Sequence, residues 1–300
     1  MGKSLSSKIK RIFNAGHNAE MMICAARRNE LIDKALTSRE SGVGGLCNGE
    51  EVVVSLTTYG KRLHDVALTV ESIMQGSLKP SGIVLFLGDD LRGTTLPIAL
   101  QNQMKRGLEV EYCKDVRSYT KIIPALRRFP DAVTVTVDDD AFYAFDLLEN
   151  IIAEHQRHPS DVIAARMHRI VLDNKGMPRK YKRWERNAYP EDVSPLNFAT
   201  GAGGVAYPPH SLPEETLNED VFLSLCPYAD DIWLYCMELL AGTAVRKCFT
   251  HSPIGEDLVF NKDVQGTGLR LVNNHSHKIN NDTQLRAVLT RYRLYDKLKG

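Results

Sequence analysis

Apolar residues recur along this chain with two periods, and the two take turns. Over residues 18–37, Met21, Cys24, Ala25, Leu31, Ile32, Ala35 and Leu36 make a loose stripe at helical spacing. Ser41-Gly-Val-Gly-Gly-Leu-Cys-Asn-Gly then breaks the pattern. This break divides an N-terminal helical extension, 1–48, from a main domain, 49–300. Beyond it, Glu51-Val-Val-Val-Ser-Leu-Thr-Thr is a β-branched run that reads as a buried strand. A helix is predicted over 64–75, with Val66, Val70, Ile73 and Met74 on one face. Strands follow at Gly82–Gly88, Leu108–Cys113 and Ala132–Val137, separated by helical patterns at 94–106 and 119–128. A helix over 145–157 and a strand over 162–166 continue the series. Residues 173–196 are polar and contain proline, which predicts a long loop or hairpin. Helices are predicted at 230–241 and at 285–298, where Leu285, Val288, Leu289 and Tyr292 share a face. The alternation argues for an α/β fold with a mostly parallel central sheet and flanking helices. A ligand is then expected beyond the carboxyl ends of the strands.

Hydrophobic residues make up 43% of the 300, enough for a sizeable core under such a sheet. The formal net charge of +1 argues against a nucleic-acid binder, which carries a basic excess. It leaves room for a small anionic substrate met by a local basic patch. Cys24, Cys47, Cys113, Cys226, Cys236 and Cys248 contain no C-x-x-C pair and read as reduced, packed thiols. That favours a cytoplasmic location. The first residues carry Lys3, Lys8, Lys10 and Arg11 among Leu5, Ile9, Ile12 and Phe13, without an apolar stretch long enough for a signal peptide or membrane span. The segment reads as an ordinary surface helix, or as a short basic helix making peripheral contact with the inner face of a membrane. Gly2 followed by Ser6 also fits the short pattern for myristoylation.

The chemistry concentrates where Val133-Thr-Val-Thr-Val runs into Asp138, Asp139 and Asp140. Adjacent carboxylates at a strand end repel one another and call for an offsetting positive charge. Hard carboxylate oxygens suit Mg²⁺ or Mn²⁺, commonly shared with substrate phosphates. A plainer reading has one Asp capping the next helix and another simply exposed. If the segment stays extended, alternation sets Asp138 and Asp140 on one side.

Four segments in this order resemble the GT-A glycosyltransferases, in particular the bacterial family-2-like enzymes that build surface polysaccharides. Val53-Val-Ser-Leu-Thr-Thr-Tyr-Gly-Lys-Arg is similar to the first strand and its nucleotide loop. Ser118-Tyr-Thr-Lys-Ile-Ile-Pro-Ala-Leu is similar to the helix ahead of the metal strand. Val135-Thr-Val-Asp-Asp-Asp resembles the DxD motif. Thr200-Gly-Ala-Gly-Gly-Val-Ala-Tyr-Pro-Pro, with Ala229-Asp-Asp-Ile-Trp, resembles the acceptor side and catalytic helix. The resemblance spans roughly residues 51–290. It implies a nucleotide-sugar donor, Mn²⁺ or Mg²⁺, and a saccharide or lipid-linked saccharide acceptor. Carried over by position, Thr57, Tyr59 and Arg62 line the nucleotide pocket and Lys121 approaches the donor's base or phosphates. Asp138, Asp139 and Asp140 handle the donor and the metal, with Asp140 the expected direct ligand.

Gly201, Gly203 and Gly204 permit either a close backbone approach to a ligand or a tight turn. The resemblance favours Gly203 and Gly204 as part of the donor-sugar pocket. Asp230 and Asp231 open an apolar helix. Capping explains one of them, and an inverting transfer needs a base that takes the acceptor hydroxyl proton. The resemblance assigns that role to Asp231 first and Asp230 second. Trp233 reads as core. His275 and His277 alternate in a polar stretch and are candidate late metal ligands; Lys278 is an alternative partner for diphosphate, and His251 a weaker candidate. Arg166, His168 and Arg169 are candidates for the acceptor. Two other functions share parts of this pattern: a sugar-phosphate nucleotidyltransferase, and a non-catalytic sugar-binding subunit of a surface-assembly complex. The first usually carries a Gly-rich loop after its first strand, whereas Thr57-Thr-Tyr-Gly-Lys-Arg has a single glycine.

Overall fold

A computed structural model describes residues 2–190, 192–249, 258–261 and 279–299 of the chain. A seven-stranded sheet in the order β10-β6-β9-β4-β1-β2-β3 forms its centre. These strands are β1 (Val52–Thr57), β2 (Gly82–Gly88), β3 (Leu108–Cys113), β4 (Val133–Thr136), β6 (Val162–Ala164), β9 (Val205–Tyr207) and β10 (Val245–Lys247). All neighbours pair in parallel except β9, which runs antiparallel to both β4 and β6. Two small antiparallel pairs flank it: β5 (Ala141–Tyr143) with β11 (Leu258–Phe260), and β7 (Met167–Arg169) with β8 (Asn197–Ala199). The sheet is therefore mainly parallel with helices on both faces, as the alternating pattern predicts.

Alternation along each strand divides the core in two. Val52, Val54 and Leu56, with Ile83, Leu85 and Leu87, pack under α2 (Val66–Met74), α3 (Ile98–Met104) and α5 (Leu147–Arg157). On the other face, Val53, Val84 and Phe86 meet Ala125 of α4 (Ile123–Arg128). Further along that face, Val162, Ala164, Val205 and Tyr207 lie in one cluster with Trp233 of α7 (Asp230–Ala241). The same cluster takes in Phe222 of α6 (Glu219–Leu225) and Leu285 and Val288 of α8 (Asn281–Tyr292). Trp233 is fully buried, as its apolar context predicts.

Most predicted elements shift by a few residues at their ends, and the N-terminal helix starts well before residue 18; other differences have a clear local cause. The helix expected over 119–128 is two pieces: a 3-10 turn at Arg117–Lys121, then α4, which restarts with Pro124 in its first turn. Proline has no N–H to continue a preceding helix and suits an N-terminal turn. The helix expected over 285–298 begins at Asn281, because Asn280 and Thr283 cap each other's backbone N–H. It stops where Arg293 turns left-handed (φ 55°), and a 3-10 segment, Leu294–Lys299, follows. The polar stretch 173–196 is closed at its base by the β7–β8 pair and pinned by buried Trp184.

Helix α1 runs from Gly2 to Thr37. Towards its C-terminal end, Cys24 and Leu31 pack with Leu68 and Phe142. The chain after it is stitched down by Gly42 N–H to the Arg106 carbonyl and Gly44 N–H to the Pro80 carbonyl. Arg106 is itself buried and grips both oxygens of buried Glu71 (2.7 and 3.1 Å), while its Nε donates to the Glu40 carbonyl (2.7 Å). Gln103 and Gln75 complete the Glu71 carboxylate. Removing one partner of such a pair strands a buried charge, at a cost of about 3 kcal/mol or more. Arg106→Ala should therefore lower the unfolding free energy measured by urea melts by that amount. Arg128→Ala, which breaks the exposed contacts to Glu109 and Glu111, should cost under about 1 kcal/mol. Equal losses in the two variants would refute the clamp.

Candidate active site

At the carboxyl edge of the sheet, a cleft of about 460 Å³ is lined by residues from the loops after β1, β3 and β4, and by the start of α7. Asp138, Asp139, Asp140, Asp230 and Asp231 all reach it, together with Thr57, Tyr59, Arg62 and Lys121.

Lys121 is brought there by its neighbours. Tyr119 is buried, stacks on Phe222 at 4.0 Å and donates its hydroxyl to the Cys226 carbonyl (2.6 Å). Ser55 of β1 donates to the carbonyl of Lys121 itself. The ammonium, 6% exposed, then stands 2.6 Å from Asp138 and 2.9 Å from Asp230. Burial opposes its charge, but Asp138, Asp230 and Asp231 outweigh burial and hold it protonated well above the ordinary lysine range. Its charge is committed to these carboxylates, whereas the resemblance implies an approach to donor phosphates.

The triplet does not continue the strand. β4 ends at Thr136, and Asp139 and Asp140 sit in a turn before β5. Alternation therefore does not govern their side chains. Asp139 is buried and fully engaged: Oδ1 accepts from Arg62 (2.6 Å) and Oδ2 from the Thr58 hydroxyl (2.6 Å). Its expected donor contact gives way to an anchoring role. Arg62 also donates to Asp140 (3.1 Å), so Asp139 and Asp140 share a cation while Asp138 takes Lys121. Burial, then repulsion from Asp138, pushes the Asp140 carboxyl up to about 6 despite Arg62. Tyr143 ties this turn to the next segment: its hydroxyl accepts from Asp138 N–H (2.8 Å) and donates to the Ala202 carbonyl (3.0 Å).

Neither Asp230 nor Asp231 caps α7; Ala229 holds the cap position and no side chain bonds there. The two carboxylates separate instead. Burial works against ionised Asp230, yet Lys121 holds its carboxyl below the usual range. Asp231 lacks that ion pair and accepts from Gly201 N–H (3.0 Å). Burial, then repulsion from Asp230, pushes it up to about 7. The glycine that touches this centre is Gly201: a Cβ there would stand 2.8 Å from Lys121 Nζ and 2.9 Å from Asp231 Oδ1. Gly203 and Gly204 face elsewhere. A Cβ on Gly203 would strike the Arg166 backbone, and Gly204, with φ 93°, backs onto Leu147 and Ile151. Their need for glycine is that of a tight turn under the cleft rather than of a donor-sugar pocket.

Thr57 turns its hydroxyl to the Phe86 carbonyl (2.8 Å), and exposed Tyr59 lies near Arg62. Arg166 and His168 line the cleft; Arg169 points away to Asp192. His251, His275, His277 and Lys278 lie outside the described residues. Sequence reasoning missed Thr58, whose neighbour Thr57 drew attention, and also Tyr181, Arg186 and Asn281, which line the cleft from a polar stretch and a helix start without motif character.

Among the described residues, no group of three or more His, Cys, Asp or Glu forms a metal cage. The donor chemistry of Asp138 and Asp140 nevertheless fits a hard divalent cation, which characteristically takes one or two carboxylates and fills its remaining positions with water and substrate phosphate. Asp138 gives one oxygen to Lys121 and leaves the other without a hydrogen bond among the described residues.

No protein-family model matches the chain, and no curated protein does. Among solved structures it is similar to the mannosyltransferase PcManGT from Pyrobaculum calidifontis in complex with GDP-Man and Mn²⁺, at 16% identity over 81% of this chain and 67% of that one, TM-score 0.41. It is also similar to CMP:2-keto-3-deoxy-manno-octonic acid synthetase complexed with CTP, at 11% identity over 74% and 98%, TM-score 0.39. A third is S. aureus TarS 1-349 in complex with UDP, at 15% identity over 66% and 59%, TM-score 0.44. At these identities the likeness concerns the fold and assigns no chemistry.

The raised Asp231 has a consequence for stability. The unfolded chain loses this proton near pH 4 and the folded one near 7, so stability falls as pH rises between them and then levels. Asp231→Asn removes that loss and keeps an acceptor for Gly201 N–H. The variant should match the parent at pH 4 and exceed it at pH 8. Because the carboxyl opens onto the cleft, the gain is discounted to on the order of 1 kcal/mol. Denaturant melts at the two pH values measure it; a variant less stable at pH 8 contradicts the raised carboxyl.

Proposed function

We propose that the chain is a metal-dependent glycosyltransferase. It moves a sugar, with inversion, from a nucleotide-sugar donor to a saccharide or lipid-linked saccharide acceptor in surface polysaccharide synthesis. The observation that carries this reading is the splitting of two adjacent carboxylates by one buried ammonium. Asp230 is held ionised against Lys121, and Asp231, next to it, is tuned to about 7. A base working near neutral pH requires that tuning. Asp230, paired and depressed, is the poorer base of the two.

In the proposed step, Asp231 takes the proton of the acceptor hydroxyl. That oxygen forms a bond to the anomeric carbon as the bond to the nucleoside diphosphate breaks on the opposite face. Asp138 and Asp140 would hold a divalent cation, Mn²⁺ or Mg²⁺, which when bound neutralises the diphosphate. Arg62, anchored by Asp139, keeps Asp140 in place. Lys121 fixes Asp138 and Asp230 in the same frame, linking the donor and acceptor sides.

The setting we propose is the cytoplasm, with peripheral contact at the inner face of the membrane through the basic N-terminal helix. Six free cysteines support a reducing compartment. No helix among the described residues is long and apolar enough to cross a membrane.

Asp140→Ala should abolish both transfer and the thermal shift that a nucleotide sugar produces with Mn²⁺. Undiminished turnover in this variant would remove Asp140 from the metal site. Asp231→Asn should retain the donor-induced shift and lose transfer by about 10²-fold or more. In the parent, the rate should rise with pH through about 7, since the base must be ionised. Full activity in Asp231→Asn would exclude it as base. Release of pyrophosphate rather than nucleoside diphosphate would instead identify a nucleotidyltransferase, and absence of turnover with every nucleotide sugar a binding subunit.

A further inference from the structure

The half of the cleft beyond Asp231 carries the opposite charge. Arg166, just past β6, is largely buried and donates to the Thr200 hydroxyl (3.0 Å). Among the described residues it forms no ion pair, and burial depresses its proton affinity with the partial relief of Tyr181 and Asp231. Arg186 lines the same wall, its guanidinium 5.8 Å from the Tyr181 ring centroid, and it too lacks a carboxylate partner among the described residues. The two arginines repel each other. His168 beside them adds no charge: burial and Arg166 push it down to about 4, so it is neutral near pH 7. Opposite, Asn281 presents a buried Oδ1 with no hydrogen-bond partner among the described residues. The cleft is thus polarised, with cations neutralised around the acidic triplet and cations left over around Tyr181.

Unpaired guanidinium groups facing one space have the charge and the planar donor geometry to hold an oxyanion. Such sites prefer carboxylate or phosphate over any neutral group. The orphaned amide oxygen of Asn281 suits a hydroxyl donor, and the Tyr181 ring suits the apolar face of a sugar.

We infer that this half of the cleft is an acceptor site for an anionic saccharide, whose phosphate or carboxylate is held by Arg166 and Arg186 while a hydroxyl of the same molecule meets Asp231. The inference rests on the glycosyltransferase reading and names its acceptor class. By contrast, Arg62 and Lys121, the cations nearest the triplet, are already bound to carboxylates.

The test uses the full chain, preloaded with Mn²⁺ and the nucleoside diphosphate that gives the largest thermal shift. Glucose 6-phosphate, glucuronate and glucose are titrated into it by calorimetry. At least one charged sugar should bind about tenfold or more tighter than glucose. The comparison of phosphate with carboxylate identifies which anion the site takes. Arg186→Gln, at an exposed position, should erase most of that preference with nucleoside diphosphate affinity unchanged. Arg166→Lys should restore part of the preference that Arg166→Gln loses. Equal affinity for charged and neutral sugars, or no binding of any, overturns the inference, as does loss of nucleoside diphosphate affinity in Arg186→Gln. Failure of the broader reading looks different: no nucleotide sugar is turned over, whatever the charged sugars do.

Discussion

A single ammonium, that of Lys121, has been taken almost out of water and surrounded by carboxylates from two distant parts of the chain. Desolvating it would be costly alone, and desolvating Asp138 or Asp230 alone equally so. Together each makes the other tolerable, provided the geometry is held. Much of the surrounding structure does that holding. Ser55 fixes the lysine's carbonyl from β1, Tyr119 locks the preceding turn onto Cys226, and Tyr143 secures the backbone of Asp138. Asp231 is left over from this arrangement. It lies in the same field without the same ion pair, which is why its proton affinity moves the other way.

Arg62 repeats the logic on the opposite lip. Its two nitrogens span Asp139 and Asp140, so one guanidinium offsets two adjacent charges that would otherwise push the turn apart. Thr58 completes Asp139 and removes it from the reactive surface. What remains exposed to the cleft is therefore a selection from the acidic residues, made by their neighbours.

The layers of the fold were legible because burial writes itself as periodicity. β2 and β3 have the limits that their apolar runs predict, and α7 spans its predicted 230–241. The position of the triplet at a strand end was legible for the same reason. The pairing within it was not. Strand alternation assumes extended backbone, and the chain turns at Asp139 and Asp140. Which glycine approaches the centre was equally hidden, since Gly201, Gly203 and Gly204 differ in what packs behind them and in the backbone angle of Gly204. The role of Lys121 depends on Asp230, more than a hundred positions on, a relation that local patterns do not carry. The end of α8 depends on one left-handed residue, Arg293, which has no glycine to announce it.

β9 is the strand that runs against its neighbours, and its direction decides which of its flanking segments stands at the cleft. A parallel strand contributes to the carboxyl edge the segment that leaves it; a reversed one contributes the segment that enters. Gly201 therefore stands at the edge just ahead of its strand, four residues before Val205 registers against Thr136. That contact spans some seventy residues, more than the thirty or so between β1 and β2 and fewer than the eighty or so between β1 and β4. Asp231 arrives later still along the chain. The acidic turn and the cations that neutralise it, Arg62 and Lys121, thus precede in the chain the groups that complete the cleft, Gly201, Asp230 and Asp231. The last third of the sequence therefore brings a second carboxylate, Asp230, to a lysine that the first half has already paired with Asp138.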